Sequence, residues 1–106
     1  MQNATLFSVT LWLALVAIGA ADEPVRFNRD IRPILSEKCL SCHGPDEKQR
    51  KAKLRLDVEA SAVEHAIVAG KPDQSELISR ITSEDDETRM PPRDSGKELN
   101  AEEIAL

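Results

Sequence analysis

Tyrosine is absent from the 106 residues, which hold only two phenylalanines and one tryptophan. Phe7 and Trp12 fall within the first 21 positions, so Phe27 is the sole aromatic of the remainder. Residues 22–106 are also only about 33% apolar, many of those positions being alanine. Full burial of an aliphatic side chain contributes roughly 1.5–3 kcal/mol, whereas ordering each residue costs about 1.5 kcal/mol. A conventional oily core is therefore excluded. Either the segment is partly disordered or something other than its own side chains fills the middle, as disulfides, metals and cofactors do in small domains. An excess of positive charge is missing too. Lys and Arg number 14 against 19 Asp and Glu, a net charge of -5, so a basic nucleic-acid footprint is excluded. With two cysteines, Cys39 and Cys42, there is no second C-x-x-C to complete a four-thiolate zinc site. No segment alternates with period two, so strands are not required. The length suits one domain.

One apolar run is present, residues 6–18 (LFSVTLWLALVAI), followed by Gly19, Ala20 and Ala21 before charge begins at Asp22. That layout is a secretory signal peptide cleaved after Ala20 or Ala21. The run is short of the ~20 residues that span a bilayer. No Lys or Arg precedes it, a departure from the usual pattern. The alternative is an uncleaved N-terminal anchor, the one way this chain would meet a membrane. The expected division is thus a signal peptide at 1–21 and an exported domain at 22–106, periplasmic or in the cell envelope.

Within the exported part, Asp30 reads as the cap of a first helix with Pro33 in its first turn, where a missing N–H loses no bond. Ile31, Ile34, Leu35 and Cys39 share one face, and Gly44-Pro45 ends the helix. Residues 46–56 form a charged loop. Asp57 is the expected cap of a short helix reaching about Ala66. Asp73 with Glu76 reads as a capping box for a helix that turns Leu77, Ile78 and Ile81 inward. Residues 83–89 are a solvated acidic loop, and Met90-Pro91-Pro92 is stiff and extended. Asn100 with Glu103 makes a further capping box, after which Ile104 and Leu106 begin an inward face. The sequence stops about two turns into that helix, and isolated helices so short are marginal. The expectation is an N-terminal piece of a longer chain, or a truncated reading frame. The fold class is all-α with substantial loops.

Cys39-Leu40-Ser41-Cys42-His43 is a C-x-x-C-H, the pattern of a c-type haem attachment site. Two thiols three residues apart on one helical turn both reach the vinyl groups of one porphyrin edge, and the next residue, His43, aims its imidazole at the iron. Met90 is the candidate second axial ligand: it follows His43 at a distance that lets the chain wrap the ring, and Pro91 and Pro92 stiffen its loop. A soft thioether donor raises the reduction potential. His65 competes for that position. Arg55 is a candidate partner for a haem propionate, since a guanidinium fork suits a carboxylate; a solvated basic loop explains it as well. The acidic run Glu84 to Glu87 is a solvated loop that can also orient a redox partner. Three functions remain open: an electron-transfer haem module, a haem-based enzyme or sensor with an open sixth position, and a haem-free redox dithiol or disulfide-linked interaction domain.

Residues 25–46 (VRFNRDIRPILSEKCLSCHGPD) resemble the planctomycete-type cytochrome c domain. So, in order, do LRLD at 54–57, GKPDQSELISRI at 70–81, RMPP at 89–92 and LNAEEIAL at 99–106. The resemblance implies a class I-like cytochrome c fold with haem c held covalently on Cys39 and Cys42. It places His43 and Met90 at the axial positions, and implies an N-terminal module whose last helix continues into further domains. Its partners would be a redox protein or those domains. One departure stands out: before LRLD this chain has Lys51-Ala52-Lys53 where such domains more often carry glycine.

Overall fold

The computed structural model describes residues 23–106; the expected signal peptide lies outside them. A single π-type turn, Phe27–Ile31, runs directly into helix α1 (Arg32–Lys38). Helices α2 (Glu59–His65), α3 (Glu76–Ile81) and α4 (Ala101–Ala105) follow, with 3₁₀ turns at Pro72–Gln74 and Arg93–Ser95. The described residues contain no strand, in keeping with the all-α expectation, and no helix long and apolar enough to cross a membrane.

The first helical segment starts earlier than Asp30. Asp30 lies inside the turn, where its carboxylate accepts from Arg26 N at 2.8 Å, and its own N–H donates to Arg26 O. The Arg29 guanidinium, then the Arg26 N–H, lower the Asp30 pKa to about 2. Pro33 lies where the π-type turn gives way to α1, rather than in the first turn of the helical segment. Ile31, Ile34 and Leu35 are half-buried on one face, as their spacing predicts. Phe27, the lone aromatic of the described residues, is 58% exposed. Helix α1 ends at Lys38 rather than at Gly44, because Leu40 N bonds Leu35 O five residues back and the helical register is lost. Residues 39–45 are turns.

Two other expected caps are absent: Asp57 has another partner, and Asp73 lies inside the Pro72–Gln74 turn, ahead of the start of α3. Asp57 pairs with Arg55, and α2 begins at Val58 with no side-chain cap. Glu76 pairs with Arg80 one turn on. Ser75, the residue before α3, spends its hydroxyl inside the preceding turn, accepting from Val68 N at 2.9 Å and lying 3.0 Å from Lys71 O. The Asn100–Glu103 capping box does form, with Glu103 N donating to Asn100 Oδ1 at 2.8 Å and Asn100 N to Glu103 Oε2 at 3.0 Å. Ile104 is half-buried beyond it, but Leu106 is 52% exposed rather than inward.

The packed centre is small. Leu56, Ala62 and Ala66 are the buried apolar residues, with Leu35, Leu54, Ile67 and Leu77 among those leaning on them. Ala62 and Ala66 lie one turn apart, so α2 sits close against Leu56. Leu77 N bonds Ala66 O at 2.9 Å and joins α3 to the end of α2. Met90 N bonds Arg80 O at 3.0 Å and returns the acidic loop to α3. Residues 90–91 form a bend at a point expected to be extended; the Met90–Pro91 peptide is cis. Lys97 Nζ donates to Glu37 O at 2.6 Å, across the end of α1.

Candidate functional site

The turn after α1 carries the C-x-x-C-H residues. His43 N bonds Cys39 O at 2.9 Å and Cys42 N bonds the same oxygen at 3.2 Å, which closes one helical-type turn over the motif. Both cysteines are free thiols. Burial pushes the Cys39 thiol pKa up, and the nearby Lys97 ammonium opposes that shift. The following segment straps the motif down: Lys51 N donates to Cys42 O at 2.7 Å and Leu56 N to His43 O at 2.8 Å. His43 Nδ1 lies 3.2 Å from Lys51 O. A carbonyl can only accept, so this contact assigns the ring proton to Nδ1 and leaves the Nε2 lone pair available.

Gly44 is required by this turn, beyond marking an end to the helix. A Cβ there would fall far inside van der Waals contact with the Leu40 carbonyl oxygen, a backbone atom that cannot step aside. Gly44→Ala is therefore expected to destabilise the loaded protein by about 1–3 kcal/mol, read as a lower thermal midpoint with haem content measured in parallel.

The strap has a local defect. Ala52 and Lys53 both hold positive φ, 53° and 57°. An L side chain in the left-handed region costs roughly 1–2 kcal/mol, and these are the positions where the sequence departs from glycine. Ala52→Gly should relieve that cost, less the 0.4–1 kcal/mol of added chain entropy in the unfolded state. The expected net gain is about 0.5–1 kcal/mol, or a few degrees in the thermal midpoint. An unchanged or lower midpoint would contradict it.

A cleft of about 530 Å³ opens beside the motif, within the usual range for sites that enclose small organic ligands. Cys39, Cys42 and His43 line it from one side of the chain, and Met90 lines it from the loop after α3. Leu54, Leu56, Leu77 and Ile81 supply apolar wall. Two of the buried apolar residues, Leu56 and Ala66, thus open onto this cleft. His65 also borders it, from the end of α2. Arg55 does not border it: its Nε and Nη2 donate to the Asp57 carboxylate at 3.1 and 2.6 Å, so its fork is already occupied by a neighbour two residues away. The cations on the cleft wall are instead Lys38, Arg80 and Lys97. Sequence inspection missed these. Only Arg80 left a trace, as the i+4 partner of Glu76.

These residues fit a c-type haem by their chemistry: two thiols on one turn, an imidazole with a free Nε2, a thioether and an apolar cleft. Among the described residues no group of three or more His, Cys, Asp or Glu gathers to hold a bare metal ion. Residues 39–94 match the family model for planctomycete cytochrome C, just over half of the chain. The chain belongs to the planctomycete cytochrome c family. The matched stretch begins on Cys39 and passes through Met90, so this cytochrome c-like domain contains both ends of the candidate ligand set. No curated protein and no solved structure matches it.

Proposed function

We propose that this cytochrome c domain binds haem c covalently through Cys39 and Cys42, ligates its iron with His43 and Met90, and transfers electrons. One observation carries the reading: the Cys39–His43 turn and Met90, which is far from it in sequence, line a single apolar cleft. Haem c, when bound, supplies an iron that gains and loses one electron. Every other part of the work belongs to the chain. Cys39 and Cys42 would hold the cofactor by their sulfurs, so retention does not depend on a large core. The Nδ1–H bond to Lys51 O keeps the His43 ring from rotating and fixes Nε2 as the nitrogen free to ligate. Met90 offers a neutral sulfur, which favours the reduced state relative to a second imidazole. Leu54, Leu56, Leu77 and Ile81 exclude water from the cleft, and a drier site favours the less charged oxidation state. No proton donor or acceptor is needed.

Residues 1–21 would direct export and leave the domain in the periplasm or cell envelope. Its electron partner there is a redox protein or a further domain of the same chain. The test is expression with a c-type maturation system, followed by acid–acetone extraction and a pyridine haemochrome spectrum. The parent is expected to retain its haem, and Cys39→Ser/Cys42→Ser to release all of it. A colourless, folded, oxidant-responsive parent would instead establish the dithiol reading.

A further inference from the structure

Arg80 stands where the cleft meets the methionine-bearing loop. Its carbonyl accepts from Met90 N at 3.0 Å, and its Nη1 donates to Thr88 O at 3.4 Å. Glu76 Oε1 accepts from Nε at 2.8 Å and fixes the guanidinium plane. Among the described residues Nη2 makes no hydrogen bond, and Arg80 borders the cleft. The two other cations on the cleft wall belong to its thiol end: Lys38 adjoins Cys39, and Lys97 reaches Glu37 O two residues before it. His65 sits beside Glu64, 3.7 Å away. Haem c carries its two carboxylates on the edge opposite the one that takes the cysteine sulfurs. Arg80 is the cleft cation tied to the Met90 loop rather than to the thiol turn, which makes it the candidate partner for a carboxylate.

We infer that Arg80 is a positioning residue that joins the cofactor's carboxylate to the Met90 loop, Nη2 donating to the carboxylate while Nη1 holds Thr88 O. A planar fork is suited to such a double duty, because its donors point in fixed, separate directions. Filling the cleft and seating the Met90 sulfur are then coupled through one side chain. This inference rests on the haem reading above.

The experiment uses the mature, loaded protein. Arg80→Met keeps the aliphatic stem and removes both contacts, whereas Arg80→Lys keeps the charge and makes one contact at a time. Covalent haem content is expected to be unchanged in both, because the thiols hold it. Imidazole competes with a methionine sulfur for ferric iron. It is expected to bind about tenfold more tightly in Arg80→Met and about threefold more tightly in Arg80→Lys, with a matching loss of the weak far-red methionine–iron band. Should Arg80→Met fail to mature, Arg80→Lys carries the same test. Parent-like imidazole affinity with an undiminished band in a matured variant would overturn the assignment, even if its melting temperature fell, since that marks a purely structural role. A parent that lacks covalent haem or the far-red band is a separate failure, and it overturns the ligation reading along with this one.

Discussion

Prepared without haem, residues 22–106 are expected to give a weakly helical far-ultraviolet circular dichroism spectrum and no cooperative thermal transition. The covalently loaded protein should melt cooperatively. The reason lies in how little the chain packs against itself. Leu56, Ala62 and Ala66 are its buried apolar residues, and no large side chain among the described residues is fully buried. Leu56 and Ala66, together with half-buried Leu54 and Leu77, form part of the cleft wall, so in the haem-free chain much of this apolar surface faces water. The helices give no independent support. The longest α-helices among the described residues, α1 and α2, have seven residues each, well under the ~12–15 at which an isolated helix becomes marginal. A haem-free form that melted cooperatively would show that the cofactor does not complete the core.

Replacing Met90 should have the largest effect on the redox chemistry. Met90→Ala is expected to abolish the far-red methionine–iron band of the ferric protein while leaving covalent haem content intact, because attachment depends on Cys39 and Cys42. Met90→His should lower the reduction potential by on the order of 0.1 V or more, since axial ligands set potentials over a span of roughly 0.8 V and a second imidazole favours the ferric state relative to thioether. Band spectra and potentiometric titration check both. A band that survived in Met90→Ala would exclude Met90 as ligand. A parent without the band, yet open to imidazole, would mark a vacant sixth position and favour the enzyme or sensor reading. His65 borders the same cleft and is the nitrogen that would take the position in place of Met90.

The parts of the cleft lining that were legible in sequence are those marked by local pattern. Cys39, Cys42 and His43 stand out by spacing alone, and Met90 because no other methionine lies outside the first 21 residues. The Asn100–Glu103 capping box was legible because its two members bond each other and nothing else. Where a carboxylate had a choice of partner, sequence could not show which it took. Asp57 went to Arg55 and Glu76 to Arg80, so the cap expected of Asp57 was lost and the propionate role expected of Arg55 had no free fork to perform it; Asp73 was taken into the 3₁₀ turn ahead of α3. The Lys51 carbonyl that orients His43 carries no side-chain mark at all. The left-handed turn at Ala52 and Lys53 was hidden because neither residue prefers it. The all-α class, by contrast, followed from what the pattern lacked, and the described residues agree with it.

The bond from Lys97 to Glu37 joins positions 60 residues apart. Closing a flexible loop of that length costs roughly 3–4 kcal/mol in chain entropy, whereas a hydrogen bond to a charged group returns only about 1.5–3 kcal/mol. The bond cannot assemble the molecule by itself, and it forms only once nearer closures have shortened the effective loop. Leu56 to His43, Leu77 to Ala66 and Met90 to Arg80 are such closures, each spanning fewer residues. Folding therefore has an order built into chain connectivity: the short closures, that of Met90 onto Arg80 among them, set first, and the Lys97 segment docks on the end of α1 last.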